Sequence, residues 1–253
     1  MNDLEILSVI SDIGYLLLKH GAEIYRVEES LKRMCEGFGF QDVEVFAVPS
    51  YFIVSLTLHD GSTHHISRRS RANRIHLDHL YSLNSIVRAL SKQTMTLEEA
   101  KEKITVIQNK KSNLTLVLIG YILSAAFFCS FFGGNMDEII VSGIIGFVIY
   151  FFIYLMELVN VNSLVRTMLS SMLLSSIAII SYKIGFIDQL QSTITGSLML
   201  LVPGIAITNS LRDIIGGDFI SGVSRMIEAF LIATSIAIGV GIMMMLFGVG
   251  GQL

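Results

Sequence analysis

The sequence predicts an α-helical membrane protein, with five transmembrane helices at residues 112–253 preceded by a small cytoplasmic α+β domain at residues 1–111. Apolar residues make up 52% of the 253-residue chain, and the charged share of 15% is well below the roughly 25% of an ordinary soluble domain. The charges are also unevenly placed, since residues 1–113 hold 14 of the 18 Lys and Arg residues. Long uncharged runs dominate the rest of the chain, which indicates a bilayer as its surroundings.

The N-terminal part begins with two helical patterns. The apolar stretch Ile6–Leu18 has about 13 residues, too few to cross a bilayer, so we expect a buried or interfacial helix. From Glu23 to Cys35, apolar residues recur at spacings of 3, 4 and 3, which places them on one helix face. On this helix Glu28–Lys32 and Glu29–Arg33 have the i,i+4 spacing that favours ion pairs.

A small antiparallel sheet and two more helices follow. Residues 42–48 alternate between two faces, and residues 51–58 are rich in β-branched and aromatic side chains. His59–Ser62 is a hairpin-turn signal that precedes a return strand at 63–67. A helix is predicted from about Ile75, and Thr96–Glu99 forms a capping box that opens the next one. Together these patterns predict an α+β domain.

Five apolar runs are long enough for the roughly 20 residues that cross a bilayer. They are Leu114–Phe132, Ile139–Met156, Leu158–Tyr182, Ser192–Leu211 and Ala229–Gly251. Only the third contains a charge, Arg166, which lies near its start and can reach the membrane surface. Because Lys101, Lys103, Lys110 and Lys111 directly precede the first run, the positive-inside rule places the N-terminal domain in the cytoplasm. Five crossings then place the C-terminus outside.

Several functional classes lack support in the sequence. A net charge of −3 offers no basic excess for binding nucleic acid. Cys35 and Cys129 are too few for a disulfide framework or a Cys-ligated metal. His64 and His65 point to opposite faces of a strand, and His76 and His79 are three residues apart with Asp78 between them, which does not match the H-E-x-x-H pattern. Since nucleotide-binding and nucleophile motifs are also missing, we expect no enzyme activity, metal or cofactor.

The fourth apolar run contains Pro203 and Gly204, which interrupt helical hydrogen bonding. One interpretation is a simple kink. The other is a broken helix whose freed backbone groups contact a transported solute, as in secondary transporters. The sequence alone leaves both interpretations open.

Polar residues crowd into the connection that follows this run. Thr208 and Arg212 are four residues apart, as are Asn209 and Asp213, so each pair shares a helix face. Asp218, Arg225 and Glu228 follow, and Arg225 and Glu228 have a spacing that permits an ion pair. A solvated loop is one interpretation. The other is a functional site, because charges next to apolar spans are usually paired and functional.

These motifs resemble those of the threonine/serine exporter family in its short split form. The N-terminal part of the resemblance is carried by Gly21-Ala22-Glu23, Arg26-Val27-Glu28, Val48-Pro49-Ser50 and the basic stretch Arg68–Arg74. The C-terminal part is carried by Leu201-Val202-Pro203-Gly204, Thr208-Asn209, Arg212-Asp213, Gly217-Asp218, Ser221-Gly222, Arg225 and Glu228-Ala229. The resemblance covers nearly the whole chain. Tyr51 departs from it, because a small hydroxyl residue is expected at that position.

The resemblance implies an exporter of small amino acids or small carboxylates that depends on the proton motive force. It also implies a small membrane partner subunit, a homo-oligomer, or both. An odd number of spans agrees with this, because a second five-span unit would insert in the opposite orientation, as in transporters with inverted repeats. The implied motif of the cytoplasmic domain comprises Glu23, Arg26, Glu28, Pro49 and Ser50.

On this hypothesis Arg212 and Arg225 attract a solute carboxylate, and Thr208 and Asn209 hydrogen-bond it. Asp213, Asp218 or Glu228 carries the coupled proton, since desolvation among apolar spans raises the pKa of a carboxyl group. The alternative is a membrane-anchored sensor or scaffold whose cytoplasmic domain binds a ligand. A sensor does not need polar groups next to its spans, so the pattern from Pro203 to Glu228 favours transport.

Overall fold

A computed structural model describes residues 3–70, 75–110 and 113–249. The chain divides into two units. The first consists of Met1–Lys111 and Ile207–Met226, and the second of Ser112–Ala206 and Ile227–Leu253. Part of the predicted basic stretch, residues 71–74, lies outside the described residues, as does Lys111.

The N-terminal part of the first unit contains four helices and one three-stranded sheet. They are α1 (Asp3–Lys19), α2 (Ile24–Gly37), β1 (Gln41–Val48), β2 (Tyr51–Thr57), β3 (Thr63–Arg69), α3 (Leu77–Ser91) and α4 (Leu97–Asn109). The sheet has the order β1-β2-β3 with antiparallel pairs throughout, as expected for strands joined by short turns. One apolar core of this part buries α1, one face of α2 and the inner face of the sheet.

Local sequence signals predicted this part well. The capping box at Thr96 and Glu99 is formed, with both reciprocal hydrogen bonds in place. Arg33 lies 2.6 Å from Glu29, as the i,i+4 spacing predicts. The prediction for Glu28 was wrong: its carboxylate accepts the backbone N–H of Ala47 at 2.8 Å, and Lys32 lies instead 4.0 Å from Glu36.

Six helices follow in the rest of the described chain. They are α5 (Leu114–Phe131), α6 (Met136–Leu158), α7 (Ser163–Lys183), α8 (Leu190–Leu198), α9 (Gly204–Ile215) and α10 (Phe219–Leu246). Within the described residues, four of them are long and apolar enough to cross a membrane: α5, α6, α7 and α10. The fourth predicted span is divided into α8 and α9 by residues 199–203, so the interruption predicted at Pro203 is confirmed.

Close helix contacts and one buried carboxylate organise the second unit. A Cβ atom added at Gly146 of α6 would lie 2.6 Å from the carbonyl oxygen of Tyr121, so α5 and α6 approach closely here. Glu138, which is buried, accepts backbone N–H groups of Asn135, Asp188 and Gln189 at 2.8–3.0 Å. This carboxylate therefore ties the start of α6 to the start of α8.

Candidate functional site

The candidate site lies entirely within the first unit, where the start of α2 meets the segment 207–226. It brings together two carboxylates and three guanidinium groups: Glu23, Arg26, Arg212, Asp213 and Arg225. We call these five residues the arginine–carboxylate cluster. Two of them belong to the predicted cytoplasmic-domain motif and three to the predicted transport motif.

Two turns bring the side chains of the cluster together. Gly21 has φ +79°, a conformation that lets the chain reverse between α1 and α2 and places Glu23 at the N-cap position of α2. Gly217 has φ +96° and makes the turn between α9 and α10. The hydroxyl of Ser210 donates to the carbonyl of Gly222 at 2.7 Å, which holds the two helices together at this end.

Asp213 forms the buried centre of the cluster. Its side chain is 0% exposed, and its Oδ2 atom lies 3.3 Å from a guanidinium nitrogen of Arg225, which is 12% exposed. The backbone N–H of Ile24 donates to Oδ1 of Asp213 at 3.4 Å. Arg225 also donates to the carbonyl of Ala22 at 2.7 Å. The turn at residues 22–24 is therefore bound by one acidic and one basic side chain of segment 207–226.

Glu23 lies between two arginines. Its carboxylate forms an ion pair with Arg212, and its other oxygen lies 2.6 Å from Nε of Arg26. The side chain of Glu23 is only 10% exposed, whereas that of Arg212 is 49% exposed. The side chain of Arg26 is 54% exposed, so Arg26 and Arg212 are the two cations of the cluster that solvent or a solute reaches most readily.

Burial raises the pKa of two carboxyl groups in this region, Asp213 and Glu28. Desolvation raises the pKa of Asp213, and the neighbouring Arg225 works in the opposite direction. Desolvation also raises the pKa of Glu28, and its hydrogen bond from Ala47 opposes that shift. Asp218 adds to the raised pKa of both groups through its negative charge. Asp218 therefore lies close enough to Asp213 and to Glu28 to influence both.

The remaining predicted residues are not members of the ion pairs that define the cluster. Thr208 is exposed on α9, Asn209 is half-buried, and Glu228 is exposed on α10. Pro49 and Ser50 form the turn between β1 and β2, where the carbonyl of Ser50 accepts the N–H of Ser70 at 2.8 Å. Pro203 and Gly204 lie at the start of α9. A contact of Thr208 and Asn209 with a solute stays a prediction.

Sequence reasoning missed two features of this region. The first is the use of backbone groups at Ala22 and Ile24 as partners for Arg225 and Asp213, which no local pattern indicates. The second is a cluster of three histidine rings, in which His20 of the α1–α2 turn lies against His76 and His79. The i,i+3 spacing of the last two was visible in the sequence, but the proximity of His20 was not. Among the described residues, no group of three or more His, Cys, Asp or Glu side chains is arranged to hold a metal ion.

The arrangement of charges is suited to binding a carboxylate by exchange. Arginine is able to recognise a carboxylate through two parallel N–H donors, and one guanidinium nitrogen of Arg212 already pairs with one carboxylate oxygen of Glu23. A solute carboxylate at Arg212 would replace the pair with Glu23, whereas the buried pair of Asp213 and Arg225 would stay in place. Of these two cations, Arg212 is the more exposed, at 49%, and Arg225 the less exposed, at 12%.

Comparison with known proteins matches this chain along nearly its whole length. The family model described as "Putative threonine/serine exporter" matches residues 8–247. The chain is similar to the "Probable succinate transporter subunit YjjP" of Klebsiella aerogenes, at 24% identity over 93% of this chain and 91% of that protein. The protein of the same name from Escherichia coli strain K12 is 23% identical over 94% of this chain and 93% of its own length.

A more distant similarity reaches a fungal protein. The chain is 25% identical to the "Pheromone-regulated membrane protein 10" of Pichia sorbitophila, over 92% of this chain but only 24% of that protein. No solved structure matches the chain.

Proposed function

Because the chain belongs to the threonine/serine exporter family, and is thus a multi-pass membrane protein, we propose that it is a subunit of a secondary-active exporter. The solute is a small amino acid such as threonine or serine, or a small dicarboxylate such as succinate. Export is coupled to the proton motive force. The observation that carries this proposal is the half-exposed Arg212, which pairs with the carboxylate of Glu23. In the proposal, a solute carboxylate takes the place of Glu23.

Different residues of the site bind the solute and carry the coupled proton in this proposal. Arg212 binds the solute carboxylate, and Thr208, one helical turn earlier on α9, hydrogen-bonds it together with Asn209. The displaced Glu23 stays close to Arg26, which supports its charge during the exchange. Asp213, Asp218 or Glu228 carries the coupled proton, and the raised pKa of Asp213 supports its place in this group.

Membrane topology and assembly complete the proposal. The N-terminal domain lies in the cytoplasm, and residues 192–211 make a fifth crossing that is interrupted at Pro203. The chain works with a small membrane partner subunit, with further copies of itself, or with both. The names of the two bacterial relatives include the word subunit, which supports such an assembly. Few spans also leave little room for a closed solute path within one chain.

Solute flux in proteoliposomes tests the proposal. The chain is reconstituted alone and together with a candidate small membrane partner subunit, and export of labelled threonine and succinate is measured under an imposed proton gradient. We expect saturable export from the assembly, and loss of at least 90% of it, about tenfold, in Arg212→Gln. Arg166→Gln is the matched control, because Arg166 pairs with Glu157 and takes part in none of the ion pairs that define the cluster.

Two outcomes would contradict the proposal. One is full flux in Arg212→Gln with unchanged assembly, which would remove this arginine from the solute path. The other is saturable export by a verified monomer, which would show that no assembly is needed. Size-exclusion chromatography of each variant in detergent establishes its assembly state.

A further inference from the structure

Three histidine rings form a cluster where the α1–α2 turn meets α3. The ring of His20 lies 4.5 Å from that of His79 and 5.5 Å from that of His76, measured between centroids, and the rings of His76 and His79 are stacked at 5.1 Å. A ring nitrogen of His20 lies 3.3 Å from one of His79. We call these three residues the histidine cluster.

His20 is held in a state that disfavours a proton. It is only 7% exposed, and its Nδ1 atom is buried with no hydrogen-bond partner among the described residues. Burial, and then the neighbouring His79 and His76, lower the pKa of His20 to about 4. The other charged group that acts on it is Lys19 of α1, which has the same sign as a protonated histidine. Asp78 of α3 points to solvent, where it lies 3.7 Å from Lys110 of α4.

The histidine cluster is connected directly to the arginine–carboxylate cluster through five consecutive residues. The carbonyl of His20 accepts the N–H of His76 at 3.3 Å, which fastens α3 to the turn. Two residues later the carbonyl of Ala22 accepts from Arg225, and the next residue, Glu23, pairs with Arg212. The N–H of Ile24 then donates to Asp213. A displacement of His20 therefore moves the groups that hold segment 207–226.

We propose that the histidine cluster is a proton-sensitive latch, which opens on acidification of the cytoplasmic side and releases the turn 20–24 from segment 207–226. The closed arrangement disfavours a proton on His20, whereas a His20 that has left the cluster accepts one near the ordinary histidine pKa of about 6.5. Acid therefore favours the open arrangement, because the state that binds more protons gains stability as the pH falls. Since the arginine–carboxylate cluster is the proposed solute site, this latch rests on the proposed function and would adjust export to internal pH.

Hydrogen exchange on the full chain in detergent tests the latch without any solute or flux. Amide protection, corrected for the intrinsic pH dependence of exchange, is compared between pH 7.5 and pH 5.5. Protonation of one histidine with a pKa of about 6.5 in the open state should favour opening about tenfold over this range. We therefore expect amide protection in residues 20–26 and 208–216 to fall about tenfold between pH 7.5 and pH 5.5. The double variant His20→Phe/His79→Phe, which keeps aromatic rings but does not titrate, should change by less than about twofold.

The controls separate the latch from general acid effects. His64→Phe and His65→Phe lie on β3 and should keep the wild-type response. An unchanged wild-type protection at pH 5.5, or the same loss in the double variant, would overturn the proposal. If the double variant does not fold, NMR titration of the histidine rings in the wild type replaces it. Protonation of His20 near pH 6.5 without any change in the signals of neighbouring residues would also overturn the proposal. Because flux is not measured, failure of the latch and failure of the exporter proposal remain distinguishable.

Discussion

At the scale of single residues, the two arginine–carboxylate pairs Arg212–Glu23 and Arg225–Asp213 differ in how exposed the arginine is. Arg212 is half exposed and Glu23 is 10% exposed, so solvent screens this pair on the arginine side. Asp213 is 0% exposed and Arg225 is 12% exposed, and removing one partner of a buried pair costs about 3–5 kcal/mol, because the other charge is left without compensation. This difference supports the proposal that the Arg212 pair exchanges and the Arg225 pair stays in place.

Glu28 has a different role from the one that its spacing to Lys32 predicted. Strand β1 is an edge of the sheet, and edge strands present backbone N–H groups that need partners. The carboxylate of Glu28 satisfies one of them by accepting from Ala47, a buried residue. A buried N–H without an acceptor is costlier than a lost surface ion pair, which explains why this interaction prevails.

Replacement of Glu28 should therefore depend on whether the acceptor is kept. Glu28→Gln retains an oxygen for Ala47 and should be at least as stable as the wild type at pH 7. Glu28→Ala leaves the N–H without its acceptor and should lower the free energy of unfolding by about 1–3 kcal/mol. Chemical denaturation of the purified protein, followed by circular dichroism, measures both.

The pH dependence of Glu28→Gln gives a sharper check. Burial raises the pKa of Glu28 in the folded state, so its stabilising contribution is present below the unfolded pKa and is lost as the pH rises through the folded one. Any advantage of Glu28→Gln should thus be largest at neutral pH and disappear toward pH 4. An advantage that grows as the pH falls would contradict this account.

At the scale of helices, small residues decide how closely neighbours approach in the second unit. Without a strong hydrophobic force between helices in a bilayer, close backbone packing supplies much of the association energy. Gly146 permits such a contact, because the position that a Cβ would take lies 3.1 Å from Cα of Ile122 as well as close to the Tyr121 carbonyl. Both neighbours belong to the α5 backbone and cannot rotate away.

Gly146→Ala should therefore separate α5 from α6 and lower the midpoint of thermal unfolding. We expect a loss of about 2–4 °C or more, corresponding to at least 1 kcal/mol. Gly241→Ala is the matched control, since a Cβ there would meet no described atom within 4 Å. The midpoints are measured with a dye that becomes fluorescent when it reacts with cysteine thiols exposed by unfolding. Equal midpoints for the two variants would contradict the packing argument.

The break between α8 and α9 belongs to the same scale. Alanine has no clash with the preceding turn and restores an N–H donor, so Pro203→Ala should lengthen the helix across residues 199–203. We expect it to reduce solute flux several-fold while leaving the thermal midpoint within a few degrees. If the fraction of folded protein fell as much as the flux, the break would be needed for folding, and a role in transport would not be supported.

At the scale of the whole molecule, the number of crossings sets the side on which each terminus lies. Four helices are long enough to span a bilayer by themselves, and α8 with 9 residues reaches only about half of the thickness at about 1.5 Å per residue. If residues 192–211 complete a fifth crossing, the two termini lie on opposite sides of the membrane. If they do not, both termini lie on the same side.

Reporter fusions distinguish the two topologies. We expect a tag before Met1 to be accessible only from the cytoplasm and a tag after Leu253 only from outside. A second external tag in the loop at 184–189 serves as a reference for that side. A C-terminal tag that is accessible from the cytoplasm alone would show an even number of crossings and rule out the proposed fifth one.

The sequence by itself determined those features that depend on neighbours along the chain. The capping box at Thr96, the hairpin at residues 59–62, the four long spans and the break at Pro203 all arise from contacts within a few residues, so their patterns were sufficient. Only the tertiary structure decided the pairing of Arg212 with Glu23 and of Arg225 with the carbonyl of Ala22, partners that lie about 190 and 200 residues away along the chain. It also decided the contact of His20 with His76 and His79. The physical reason is that a charged or aromatic side chain selects a partner by proximity in the folded chain, and residue spacing carries that information only within a helix or a hairpin.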